Sequence, residues 1–114
     1  MKQREIWLIN LDPTLGAEMK KSRPCVILNS NEIGKLPLKV IAPLTDFKHH
    51  YEQTPWMVRV DPNAENKLIK ISAIDLFQVR SLSDGRLIKK IGTISEAELE
   101  RSKLALKVVF EINS

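Results

Sequence analysis

Ile91-Gly92-Thr93-Ile94-Ser95-Glu96-Ala97-Glu98-Leu99 is the stretch on which the architecture of this chain turns. Ser95 and Glu98 have capping-box spacing, in which each side chain satisfies an orphan backbone N–H near the other. Ile94 and Leu99 flank them as a hydrophobic staple. A helix is therefore predicted from Glu96 to about Phe110. Leu99, Leu106, Val109 and Phe110 recur near helical spacing and are expected to face a sheet, with Glu96, Glu100, Lys103 and Lys107 elsewhere on the wheel.

Everything before Ser95 breaks into short, β-prone, largely apolar runs separated by turn residues. Strands are predicted at 5–10, 24–29, 39–44, 56–60, 68–74, 76–81 and 87–92. The run Pro24-Cys25-Val26-Ile27-Leu28-Asn29 is nearly all apolar and reads as buried on both faces. Residues 11–22 read as a loop, with turn chemistry in Asp12-Pro13-Thr14-Leu15-Gly16 and a basic tip at Lys20-Lys21. Residues 46–55 lack periodicity and read as an exposed, mobile loop. Short strands followed by one C-terminal helix argue for a mainly β fold, a small antiparallel barrel rather than a βαβ layer. The 114 residues suit a single domain, 1–114, with no internal repeat or linker.

The chain carries 18 Lys+Arg against 14 Asp+Glu, a net charge of +4. Residues 1–92 hold 15 basic and 10 acidic side chains, whereas residues 93–114 hold 3 and 4. The basic excess thus lies outside the C-terminal segment, which permits a polyanion-binding face. No apolar run approaches the roughly 20 residues of a membrane span. The first apolar stretch breaks at Asn10, too early for a signal sequence, and the single Cys25 excludes an internal disulfide framework. A cytoplasmic location is expected.

The usual catalytic signatures are missing. There is no GxxxxGK[ST] phosphate loop, no HExxH, no GxSxG and no cysteine pair for zinc, so neither metal nor cofactor is expected. His49-His50 are the only histidines; they read as a solvated pair, with a general base or metal ligand as the alternative. An enzyme made from this inventory must work with Arg, Thr, Asp and Gln. RNA cleavage suits it, because the substrate's own 2′-hydroxyl is the nucleophile and the protein need only position the strand and stabilise charge at phosphorus. A guanidinium does this by bidentate hydrogen bonding. Arg23, where a loop enters an apolar strand, is the best placed; the alternative is a surface arginine in a salt bridge. Cys25 reads as a buried small hydrophobe, Trp7 and Phe77 as core or dimer-contact residues with base stacking as the alternative, and Lys89-Lys90 as a solvated pair.

Trp7-Leu8-Ile9-Asn10-Leu11-Asp12-Pro13-Thr14-Leu15-Gly16-Ala17-Glu18, followed by Arg23-Pro24-Cys25-Val26-Ile27, closely resembles the opening of the MazF/PemK toxin family. Ile41-Ala42-Pro43-Leu44-Thr45 is similar to the family's P-[IVL]-T strand end. Gln78-Val79-Arg80 with Arg86-Leu87 is similar to its Q-[IV]-R…R-L. Ile91-Gly92-Thr93-Ile94 and the helix follow in family order. The resemblance implies an SH3-like antiparallel barrel with a C-terminal helix, assembled as a homodimer. It implies a sequence-selective, metal-independent endoribonuclease acting on single-stranded RNA, typically mRNA. The expected products carry 2′,3′-cyclic phosphate and 5′-hydroxyl ends. The implied protein partner is a cognate antitoxin with an acidic, disordered segment.

By position the resemblance makes Arg23 and Thr45 the catalytic candidates. Lys20, Lys21, Gln78, Arg80 and Arg86 are the candidates for contacting RNA. The chain departs from the family pattern at Phe77, where many members have Asp or Glu, and at Ala17, where some have histidine. Arg4 replaces a usual glycine, and Asp46 follows Thr45 where Ser is common. Asp46 and Asp75 are the possible acid/base groups, Asp75 on the expectation that it shares a strand face with position 77. Two other readings stay open: a catalytically idle relative that binds RNA or antitoxin, and a gyrase-poisoning toxin of the same barrel. The latter ends near a tryptophan, whereas this chain ends Phe110-Glu111-Ile112-Asn113-Ser114.

Overall fold

A computed structural model describes residues 1–113; Ser114, the last residue of the expected domain, lies outside the described residues. The β-prone runs form β1 (Glu5–Asn10), β2 (Ser22–Ile27), β3 (Leu38–Asp46), β4 (Met57–Val60), β5 (Ser72–Asp75), β6 (Arg80–Ser83) and β7 (Leu87–Thr93). The capped segment forms α1 (Glu96–Phe110). The sheet is antiparallel throughout, in the order β4-β5-β3-β2-β1-β7, with β6 also on β3. This is the small SH3-like barrel with a C-terminal helix.

Strand β3 organises the sheet. Its Ile41–Pro43 segment pairs with β2, while Leu38–Ile41 pairs with β6 and Leu44–Asp46 with β5. The apolar run of β2 is buried on both faces, as expected. Val26, Ala42, Leu44, Ile74 and Leu99 share one cluster, and Cys25, Ile27, Ile41, Ile9 and Leu11 the other. Alternation along β2 therefore feeds two cores, one beneath α1 and one on the opposite side.

The helix starts where its local chemistry places it. Ser95 Oγ accepts from the Glu98 N–H at 3.0 Å, and Glu98 Oε1 accepts from the Ser95 N–H at 2.8 Å. Its buried face differs from the expected stripe: Leu99, Ser102 and Ala105 are buried, whereas Phe110 is 60% exposed. Ser102 tolerates burial because its hydroxyl donates to the Glu98 carbonyl at 2.8 Å.

Three further expectations need correction. Residues 46–55 are not one loop, because Asp46 completes β3 and His49–Gln53 form a 3-10 turn. There His50 and Phe47 pack edge-on against Tyr51, and the Arg59 guanidinium lies 4.8 Å from the Phe47 ring centre. The strand expected at 68–74 begins only at Ser72. The strand expected at 76–81 opens instead with a 3-10 turn, Leu76–Gln78, before β6.

Candidate functional site

Arg23 and Thr45 come from different strands and different hydrogen-bonding partners, yet they line one pocket of about 350 Å³. Arg23 sits opposite Ile9 at the start of β2, and Thr45 opposite Ala73 near the end of β3. Arg23 is half-buried and makes no ion pair among the described residues; its Nε is buried without a hydrogen-bond partner. A buried N–H left unpaired costs about 1–3 kcal/mol, while the residue as a whole stays partly exposed and lines the pocket.

Asp46, Lys48 and Ser72 line the same pocket. Asp46 is exposed and lies 3.8 Å from Lys70 Nζ, a weak surface ion pair. Lys48 gives the pocket a second cation that sequence reasoning missed, since nothing in the spacing of the lysines sets it apart.

Asp75 is elsewhere. The 3-10 turn that follows it ends the strand alternation, so it does not share a strand face with position 77. Its buried carboxylate caps that turn, accepting from the Phe77 N–H at 3.1 Å and from Gln78 Nε2 at 3.2 Å. Burial raises its pKa above the usual carboxylate value, partly opposed by these hydrogen bonds.

Gln78, Arg80 and Arg86 converge on the loop between β1 and β2. Gln78 Oε1 accepts from the Met19 N–H at 2.7 Å, which occupies the other end of its amide. Arg80 Nη1 donates to the Leu11 carbonyl at 3.2 Å. Arg86 Nη1 donates to the carbonyls of Asn10, at 3.2 Å, and Asp12. The loop closes on itself through Leu11 N–H to the Lys21 carbonyl and Lys21 N–H to Asp12 Oδ1. Lys20 and Lys21 are exposed at the β2 end of the loop, by its neck and not at the expected tip, with no ion pair among the described residues.

These contacts make the amide of Gln78 a bridge from Asp75 to the loop. Gln78→Ala is expected to loosen it, raising the rate of tryptic cutting after Lys20 or Lys21 several-fold, as befits the loss of two hydrogen bonds worth about 1 kcal/mol each. Asp75→Asn should do the same, because its new amide donor faces the Gln78 donor, and flipping Gln78 only moves the clash to Met19. Cutting rates equal to wild type in both variants would refute the bridge.

Cys25 is fully buried between the sites, and burial pushes its thiol up to about 12 even though both Arg23 and Arg80 act to lower it. It is the small core hydrophobe expected. Among the described residues no group of three His, Cys, Asp or Glu side chains is placed to hold a metal, and no helix is long and apolar enough to cross a membrane.

The family described as PemK-like, MazF-like toxin of type II toxin-antitoxin system matches residues 2–110. The chain belongs to this family. Similar curated relatives include the endoribonuclease MazF9 of Mycobacterium tuberculosis, 27% identical over 98% of both chains. Another is the endoribonuclease MazF of Staphylococcus epidermidis, 29% identical over 100% of this chain and 94% of that one. Among solved structures, MazF of Deinococcus radiodurans superposes with a TM-score of 0.81 at 17% identity, covering 98% of this chain and 97% of that one. A mycobacterial endoribonuclease in complex with its cognate antitoxin gives 0.78 at 14% identity, covering 100% and 98%. At such identities the structures establish the MazF fold.

Proposed function

We propose that this MazF-family toxin is a metal-independent, sequence-selective endoribonuclease that cleaves single-stranded RNA, mRNA first, and that residues 1–114 form one such domain. The observation that carries the reading is the pairing of Arg23 and Thr45 in one pocket, with the Arg23 guanidinium in no ion pair among the described residues. Arg23 binds the scissile phosphate and stabilises the charge that grows on it, and the Thr45 hydroxyl orients the phosphate or the 2′-hydroxyl. The 2′-oxygen bonds to phosphorus as the bond to the 5′-oxygen breaks, and the leaving 5′-oxygen takes a proton from solvent to become the 5′-hydroxyl. Asp46, beside Thr45 and open to solvent, is the nearest carboxylate to take the 2′-hydroxyl proton. Asp75, committed to the turn before β6, has no part in that transfer. Lys20, Lys21 and Lys48 attract the strand, while Gln78, Arg80 and Arg86 act mainly by positioning the β1–β2 loop beside it.

The family assignment, and the antitoxin complex solved for a protein of this fold, support a cytoplasmic homodimer neutralised by an antitoxin whose acidic, disordered segment covers the basic face. The test is incubation of the purified protein with single-stranded RNA in excess EDTA. Discrete fragments are expected. Intact RNA bound in a salt-dependent manner would instead favour the idle relative.

A further inference from the structure

A second pocket, of about 390 Å³, opens between the β1–β2 loop and the 3-10 turn before β6. It lies beside the Arg23–Thr45 pocket: Pro43 lines the one and Leu44 and Thr45 the other, consecutively along β3. Its walls are apolar at Leu11, Met19, Pro43 and Phe77, with Glu18 and Arg80 as charged groups. A concave, largely apolar site of this size with a few polar groups suits a small planar ligand.

Phe77 is the unusual wall. It is 63% exposed, although large aromatics normally gain most by burial. One side is braced by Trp56, whose ring centre lies 5.5 Å away at a tilt of 58°. The other is left open. Arg80 spends one donor on the Leu11 carbonyl and makes no other hydrogen bond among the described residues, so donors remain on its guanidinium. Glu18 holds the Leu15 N–H through Oε1, which leaves Oε2 free to accept.

We infer that this pocket is a nucleobase subsite, in which one base of the RNA strand next to the scissile phosphate stacks on Phe77 and presents its polar edge to Arg80 and Glu18. The inference rests on the ribonuclease reading for the phosphate position, and continuity of the two pockets along β3 carries it from there. A planar π-face explains an exposed, braced phenylalanine, since any base can stack on it. The edge groups supply selectivity. Guanine fits best, with acceptors at O6 and N7 for the arginine and N–H donors for the carboxylate. Phe77 thus becomes a specificity-determining residue, at the position where many relatives carry an acid.

The experiment pairs Phe77 with the base itself. Single-stranded 2′-O-methyl RNA oligonucleotides, which lack the nucleophile, are titrated against wild type, Phe77→Leu and Phe77→Trp, with an abasic nucleotide scanned through every position. At one position the abasic change should weaken wild-type binding about tenfold or more, in line with stacking. It should weaken Phe77→Leu by no more than about twofold, and Phe77→Trp should restore the sensitivity. Equal abasic costs in all three proteins at every position would overturn the subsite. So would a Phe77→Leu protein that loses affinity for its antitoxin but not for RNA, or an absence of binding altogether. Cleavage of unmodified RNA, run in parallel, keeps the two claims apart. Cleavage without coupling rejects the subsite alone; coupling without cleavage rejects the ribonuclease reading alone.

Discussion

Arg23→Ala is expected to lower RNA cleavage by at least about a hundredfold while leaving the fold intact. Arg23 is the charged donor closest to the reacting phosphate in the proposed mechanism, and removing one preorganised donor to a developing oxyanion costs about 10²–10³ in kcat. The protein itself loses little. The Nε atom has no internal partner, so its deletion breaks no hydrogen bond and removes a buried unsatisfied group. Thermal unfolding should therefore stay at the wild-type midpoint or rise slightly. Arg23→Lys restores a charge without the planar fork and should recover only part of the rate. Cleavage within tenfold of wild type for Arg23→Ala would remove Arg23 from the chemistry.

Gly92→Ala should cost more stability than the same change at any of the other three glycines. Gly92 lies in β7 opposite Ile6, where the sheet passes under the 61–68 loop. A Cβ there would come within 2.6 Å of the Glu65 carbonyl oxygen and the Asn66 carbonyl carbon, and closer still to the Asn66 oxygen. All three are backbone atoms, and the loop cannot yield. Asn66 is fully buried; its Oδ1 accepts from the N–H groups of Asn63 and Leu68, both at 3.0 Å, and its Nδ2 donates to the Asp61 carbonyl at 2.8 Å. The Thr93 N–H is anchored to the Glu65 carbonyl at 3.0 Å, next to the clash. Overpacking against a fixed backbone costs about 3 kcal/mol, which for a chain of this length lowers the melting temperature by roughly 10–20 °C. Calorimetry giving a midpoint within 3 °C of wild type would show that the loop can move after all.

Where the sequence could be read, local chemistry was the reason. The capping box and staple set the start of α1, and the apolar run bounded by Asp12-Pro13 set β1, so both elements have the expected bounds. The reading failed where a side chain overrode the pattern. The apolar run through Leu76 and Phe77 looks like a strand, but Asp75 caps a 3-10 turn there that buries Leu76 and turns Phe77 outward. On α1 the hydrophobic stripe pointed to Phe110, whereas the helix buries Ser102 and Ala105, whose small volumes let it approach the sheet. In the candidate site, Arg23 and Thr45 were visible because motif positions mark them. The loop-holding work of Gln78, Arg80 and Arg86 was not, because it spans 59 to 76 residues of chain and depends on main-chain partners that no side-chain pattern encodes. Lys48 was invisible because nothing in the spacing of the lysines sets it apart.

The central claim is that the protein positions RNA for attack by its own 2′-hydroxyl, and the ends of the products test it most directly. RNA digested in EDTA is resolved by mass spectrometry, beside a substrate carrying a single 2′-deoxynucleotide at the cleavage position. The mechanism predicts 2′,3′-cyclic phosphate and 5′-hydroxyl ends, and no cut at the deoxy position. Fragments bearing 5′-phosphate and 3′-hydroxyl ends, or cleavage at the deoxynucleotide, would contradict it.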